Sequence, residues 1–155
     1  MRADDIPVAH TPPGGYGDSM PPPVLSACTE PLAEGVPDMR GLWRVVSVER
    51  AEGVPTPDPD PVLKHVERIE QCGNRVCITA GGVIHDMRAD GTAENGVNDV
   101  ASANGMQISV ACTFEHGVHT LRPVGIDVTV TRRLDGDQLV WTYGPMFTAR
   151  LERVQ

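Results

Sequence analysis

MQISVACTFE (106–115), VHTLRPV (118–124), IDVTVTRRL (126–134) and QLVWTYG (138–144) decide the fold. Met106, Ile108, Val110, Cys112 and Phe114 recur at every second position. Ile126, Val128 and Val130 oppose Asp127, Thr129 and Thr131, and Leu139, Trp141 and Tyr143 oppose Val140 and Thr142. A period of two places one set of side chains on each face of an extended strand, and nothing here repeats at the helical period. His116-Gly117 and Asp135-Gly136-Asp137 interrupt the runs with residues that accept hairpin turns.

The pattern extends outward in both directions. Upstream stand GLWRVVSVE (41–49), HVERIEQC (65–72), RVCITA (75–80), VIHDMRAD (83–90) and TAENGVNDV (92–100), and MFTARLERV (146–154) follows downstream. Gly73-Asn74 and Asp90-Gly91 read as further two-residue hairpin turns. The chain is therefore expected to be all-β, an antiparallel up-and-down meander closing into a barrel of about eight to ten strands. Closure removes the exposed edges that an open meander would carry. A barrel of that size has room for a packed interior or for one small ligand.

Composition divides at the first strand. Of 14 prolines in 155 residues, eight lie in residues 1–37 and four between Pro55 and Pro61, and residues 1–39 carry −5 of the net charge of −8. Residues 1–39 read as a disordered Pro-rich leader with little apolar surface to offset ordering, and residues 40–155 as a nearly neutral β-barrel domain. The PPP run at Pro21–Pro23 is also the kind of segment that recruits a polyproline-binding partner. The acidic balance, without a basic patch, excludes nucleic acid as an expected partner. No apolar run is long enough for a membrane span, and the N-terminus has no basic and apolar signal pattern, so a cytoplasmic protein is expected. Cys28, Cys72, Cys77 and Cys112 form no CxxC, so free thiols are expected rather than zinc or redox chemistry.

Gly41-Leu42-Trp43 opening the first strand, with Thr148–Val154 closing the last, resembles the calycin group of lipocalins and fatty-acid-binding proteins. That resemblance implies a ligand-binding barrel in which Trp43 seals one end, with Gly41 before it and Arg150 or Arg153, preferentially Arg153, stacked on its ring. Two departures stand out. Pro55, Pro57, Pro59 and Pro61 exclude the helical lid that fatty-acid-binding proteins insert after strand one. Phe147, Ala149 and Leu151 form the expected inward set, which turns Arg150 outward, so the carboxylate clamp of that family is not expected. The glycine-rich opening motif of nitrobindin-like haem barrels is absent as well.

Candidate site residues follow from the alternation. Val83, His85 and Met87 share a face, and an imidazole inside an apolar barrel must find a partner. His85, Met87, His119, Trp141 and Tyr143 are the expected ligand-binding set, an apolar pocket with a few polar anchors. A small apolar or amphipathic molecule is the expected ligand. The alternatives are a barrel isomerase or hydrolase using His85 as acid/base, and a haem barrel ligated through His85 or His119. His116 belongs to a turn, so a metal site through His116 and His119 is not expected, and Asp86 points away from His85 and makes no dyad with it. Glu94 and Asn98 sit on a polar strand read as a sheet edge. Arg132 and Arg133 read as a solvated strand end. A homo-oligomer is compatible with all of this.

Overall fold

In the computed structural model, which describes residues 1–155, ten antiparallel strands follow one another: β1 Gly41–Arg50, β2 Val66–Cys72, β3 Arg75–Ala80, β4 Val83–Arg88 and β5 Val97–Val100, then β6 Gln107–Glu115, β7 Val118–Pro123, β8 Thr129–Asp135, β9 Gln138–Gly144 and β10 Phe147–Arg153. Each pairs with its neighbour in sequence except β4 and β5, and β1 pairs with β10, giving the order β4-β3-β2-β1-β10-β9-β8-β7-β6-β5. The meander thus closes into a nearly complete barrel with one seam. At the His116-Gly117 turn both residues have positive φ (51° and 78°), the backbone that a tight two-residue hairpin demands.

The Asp90-Gly91 hairpin expected between the fourth and fifth runs is not formed. The Asp90 carboxylate accepts from the Thr92 amide and hydroxyl and from Asn95 Nδ2, which rolls residues 90–95 into a loop. Gly96 then passes so near β6 that a Cβ there would lie 1.8 Å from the Val110 carbonyl oxygen. A single backbone bond, Arg88 N–H to Asn95 O at 2.8 Å, replaces a ladder across the seam. Asn98 faces outward, donating to the carbonyls of Ala93 and Glu94 and accepting from Ser109 Oγ.

Inward side chains form the main core, with Trp43, Met39, Ile69, Val76, Met87, Leu139 and Leu151 fully buried. In β1 the pairing with β10 runs Val45↔Leu151 and then Ser47↔Arg150, so Val46 is a bulge residue. The extra residue switches the inward set from Trp43 and Val45 to Val48 and Arg50. Trp43 Nε1 donates to Met39 O at 2.9 Å, and the Arg153 guanidinium lies 4.4 Å from the Trp43 ring centroid. A Cβ on Gly41 would stand 3.3 Å from Arg153 Nε, so a glycine leaves the room that this stacking occupies.

Residues 1–39, expected to be disordered, instead lie along the outer face of β2, β3 and β4, except Met39, which enters the main core. Ala3 and Leu25 pack with Cys72, Cys77 and Ile84 in a second small core. The expectation of four free thiols is corrected too: Cys28 and Cys72 are joined by a disulfide with S–S 1.99 Å, and Cys77 and Cys112 are the free, buried ones. Arg75 is the polar centre of the contact. Its Nε and Nη2 donate to Asp86 at 2.8 and 2.6 Å, Nη1 donates to the carbonyls of Ala3 and Ile6, and Nη2 also reaches that of Pro7. The PPP run is likewise engaged, since Arg68 donates to the carbonyls of Pro21 and Pro22. Both faces of β3 are consequently buried along its whole length.

Candidate functional site

The barrel holds a partly open cavity of about 340 Å³, within the range of small-molecule sites. Fifteen of its 21 lining residues are hydrophobic, contributed by β3 through β9 and by the loops before β6 and β8. Of the expected ligand-binding set, His85, Met87, Trp141 and Tyr143 line it. Ile126 and Val128, read as the start of a strand, precede β8 and line the cavity as loop residues.

His119 does not line it. The ring is wholly buried behind the wall, with Nε2 2.9 Å from Cys112 Sγ and its centroid 5.1 Å from that of Phe114. Burial, reinforced by the Arg132 charge, lowers the His119 pKa to about 3. Burial, with Asp90 adding to it, pushes the Cys112 thiol up to about 12. A neutral imidazole beside a protonated thiol is the opposite of the ion pair that activates a nucleophilic cysteine. This pair is a packing contact.

His85 does face the cavity, and its Nε2–H donates to the Val100 carbonyl at 2.8 Å. The bond crosses the β4/β5 seam from inside, doing with a side chain what the absent ladder does not. Burial lowers the His85 pKa, against the opposing pull of that carbonyl. No carboxylate is hydrogen-bonded to the imidazole. It therefore lacks the orienting acid that a histidine base usually has. Of the two histidines considered as haem ligands, His119 does not line the cavity, whereas His85 does and keeps Nδ1 outside its bond to Val100.

Two charged residues meet at the cavity: Arg132, expected in solvent, lines it, and Glu67, for which no role was expected, pairs with Arg132 without lining it. Arg132 points inward from β8, 5% exposed, and its Nε and Nη2 donate to Glu67 at 2.8 and 2.9 Å. Glu67, on β2 and fully buried, is also 2.7 Å from His65 Nε2. Burial alone would raise the Glu67 carboxyl, but Arg132 and His65 outweigh it and hold it at about 2. The Arg132 guanidinium lies 5.2 Å from the Trp141 ring, and His65 meets the same indole in a tilted contact with centroids 4.4 Å apart. Trp141 Nε1 is buried without a hydrogen-bond partner. A buried Arg–Glu pair between β2 and β8 has no signature in either strand alone, because the residues are 65 positions apart.

The proline-rich loop is tied to β1 next to Phe147. Arg50 donates to both Asp60 carboxylate oxygens, at 3.2 and 2.6 Å, and lies 5.3 Å over the Phe147 ring, which in turn meets Trp141 edge-on at 5.0 Å. One 3₁₀ turn, Pro61–Lys64, stands where a helical lid would be. Outside the barrel, a polar cleft of about 620 Å³ separates the leader from the seam. Two of its carboxylates are already engaged, Asp86 by the Ala9 amide and Asp99 by the Thr11 amide.

A near-closed ten-strand antiparallel meander around such a cavity defines a calycin-like barrel, the class to which fatty-acid-binding-protein-like folds belong. Human cellular retinol-binding protein IV superposes with a TM-score of 0.56 at 16% identity, covering 76% of this chain and 99% of that one. The zebrafish ileal bile acid-binding protein, in complex with cholic acid, gives a TM-score of 0.58 at 19% identity over 74% of this chain and 98% of that one. Compared by sequence, the chain matches no family model and no curated protein. No helix is long and apolar enough to cross a membrane.

Proposed function

We propose that this protein is a non-enzymatic binding protein that holds one small apolar or amphipathic molecule inside its barrel. The observation that carries the reading is the partly open cavity of about 340 Å³, lined by 15 hydrophobic residues among 21. Two solved neighbours whose names state that they bind retinol and bile acid give it independent support. Binding without turnover is favoured because no carboxylate is hydrogen-bonded to either interior histidine: His85 Nε2 meets a backbone carbonyl and His119 Nε2 a protonated thiol. The Cys28–Cys72 disulfide favours an oxidising compartment over the cytoplasmic placement expected from sequence.

The test is titration of the purified protein with Nile red, an uncharged fluorophore, together with native mass spectrometry. Saturable binding of one equivalent, weakened by filling the cavity with Val130→Trp, is the expected result. If Nile red does not saturate and no adduct survives in the native spectrum, the reading fails.

A further inference from the structure

Among the 21 residues that line the cavity, Arg132 is the single one bearing a formal charge, and that charge is already matched. Its Nε and Nη2, the two nitrogens that form a bidentate fork, are both given to Glu67. Glu67 has no exposed surface, and Arg132 very little. Nη1 is not engaged by Glu67, but an anion there would meet a guanidinium whose charge Glu67 already balances, and an anion that took the Nε/Nη2 fork would strip it from Glu67, leaving a buried carboxylate with His65 as its remaining partner. A cationic ligand that took Glu67 would likewise strand the guanidinium. Breaking one side of a buried, hydrogen-bonded ion pair costs far more than a new surface-type pair returns.

The remaining polar side chains of the wall comprise His65, whose Nε2 is given to Glu67, the His85 imidazole, the Ser102 and Tyr143 hydroxyls and the Trp141 indole, whose buried N–H has no partner. Donors and acceptors of this kind suit a hydroxyl or a carbonyl, and nothing among them compensates a desolvated charge.

Resting on the binding function proposed above, we infer that the cavity selects uncharged ligands, apolar chains ending in a hydroxyl or carbonyl, and rejects the carboxylate and ammonium forms of the same chain. The selectivity resides in the Glu67–Arg132 pair, which neutralises the interior before any ligand arrives.

The experiment is displacement of Nile red from the full-length, disulfide-intact protein at neutral pH by decanol, decanoate and decylammonium, which differ only in the head group. Decanol is expected to bind at least about tenfold more tightly than either ion. Decanoate or decylammonium binding as tightly as decanol overturns the inference, as does failure of decanol to displace bound Nile red. Absence of Nile red binding would instead overturn the binding function, so the two failures are distinguishable. In Glu67→Gln the guanidinium loses its counter-charge, and decanoate is expected to gain about tenfold relative to decanol. A folded E67Q protein with unchanged selectivity would refute the role of the pair. If E67Q does not fold, the wild-type comparison of the three head groups decides alone.

Discussion

Replacing Arg75 by Met tests whether the leader is a docked part of the fold. Methionine keeps much of the aliphatic stem and removes all five hydrogen bonds of the guanidinium, two to Asp86 and three to the carbonyls of Ala3, Ile6 and Pro7. Asp86, with its side chain 1% exposed, is left with the Ala9 amide at 2.9 Å as its one hydrogen-bond donor. Removing one partner of a buried ion pair costs about 3–5 kcal/mol when the other stays buried. The first eleven residues need not stay, because they hold no strand pairing and can lift off to let Asp86 hydrate. Release caps the cost and makes it local. Native-state hydrogen exchange is the assay. In R75M the Ala9 and Thr11 amides, which bond Asp86 and Asp99, should lose protection by roughly a hundredfold or more. The Val24 and Leu25 amides, held by Glu70 close to the Cys28–Cys72 bond, should lose much less, and amides of β9 and β10 least. Unchanged protection at Ala9 and Thr11 would refute the anchoring role. Uniform loss across leader and barrel would show Arg75 to be part of the global core.

Three further outcomes are expected. Cys28→Ser removes a cross-link that spans 44 residues, worth about 4 kcal/mol by loop-closure entropy, so calorimetry should show the melting temperature falling by on the order of 10 °C, with dithiothreitol mimicking the effect on the wild type. Acidification should destabilise the fold in two stages, followed by urea midpoints. The His119 pKa lies below its unfolded value, so stability declines as pH falls from about 6.5 toward 3, and that of Glu67 is depressed as well, so its contribution is lost from about 4.5 toward 2, each by up to about 1.4 kcal/mol per pH unit. A midpoint independent of pH between 7 and 4 would contradict the buried placement of His119. Gly96→Ala would put a Cβ 1.8 Å from the Val110 carbonyl and should cost more than about 3 kcal/mol in urea unfolding, whereas Gly14→Ala, where nothing lies within 4 Å, should cost no more than the strain of its positive φ.

The barrel was legible because its evidence is local. Alternation in 106–114 and 138–143 and turn chemistry at Gly73-Asn74 and His116-Gly117 each need only a few adjacent residues, and β3 and β9 have the limits that the alternation predicts. Where the structure departs from the local pattern, the deciding contacts lie outside the few residues that carry it. Asp90-Gly91 has the same local signature as a true hairpin turn, and what defeats it is the neighbouring Thr92 and Asn95 together with the close approach of Gly96 to β6. Arg132 beside Arg133 looked like a solvated pair; adjacency on a strand sends the two to opposite faces, and Glu67 on β2 determines which one is buried. His119 was correctly placed on the inner face but not on the cavity, because alternation reports the face and says nothing of depth along the barrel.

The leader was misread for a reason that concerns proline itself. Disorder was inferred from a segment's inability to bury apolar surface of its own. That inference omits the receiving face. Cys72, Cys77 and Ile84 project from the outer side of β2–β4, where an ordinary barrel would be polar, and this apolar outward set was the signal available in the sequence. Proline also removes a backbone donor, so a proline-rich strap has fewer N–H groups to satisfy than a strand would. What it presents is mainly carbonyls, and the sheet meets those of Pro7, Pro21, Pro22 and Pro37 with Arg75, Arg68 and Gln71. The remaining amides at Ala9 and Thr11 are taken by Asp86 on β4 and Asp99 on β5. Those two carboxylates stand on opposite sides of the one unpaired seam, and His85 spans the same seam from within. The leader thus bridges, from outside, through its Ala9 and Thr11 amides, the gap that ten strands leave open.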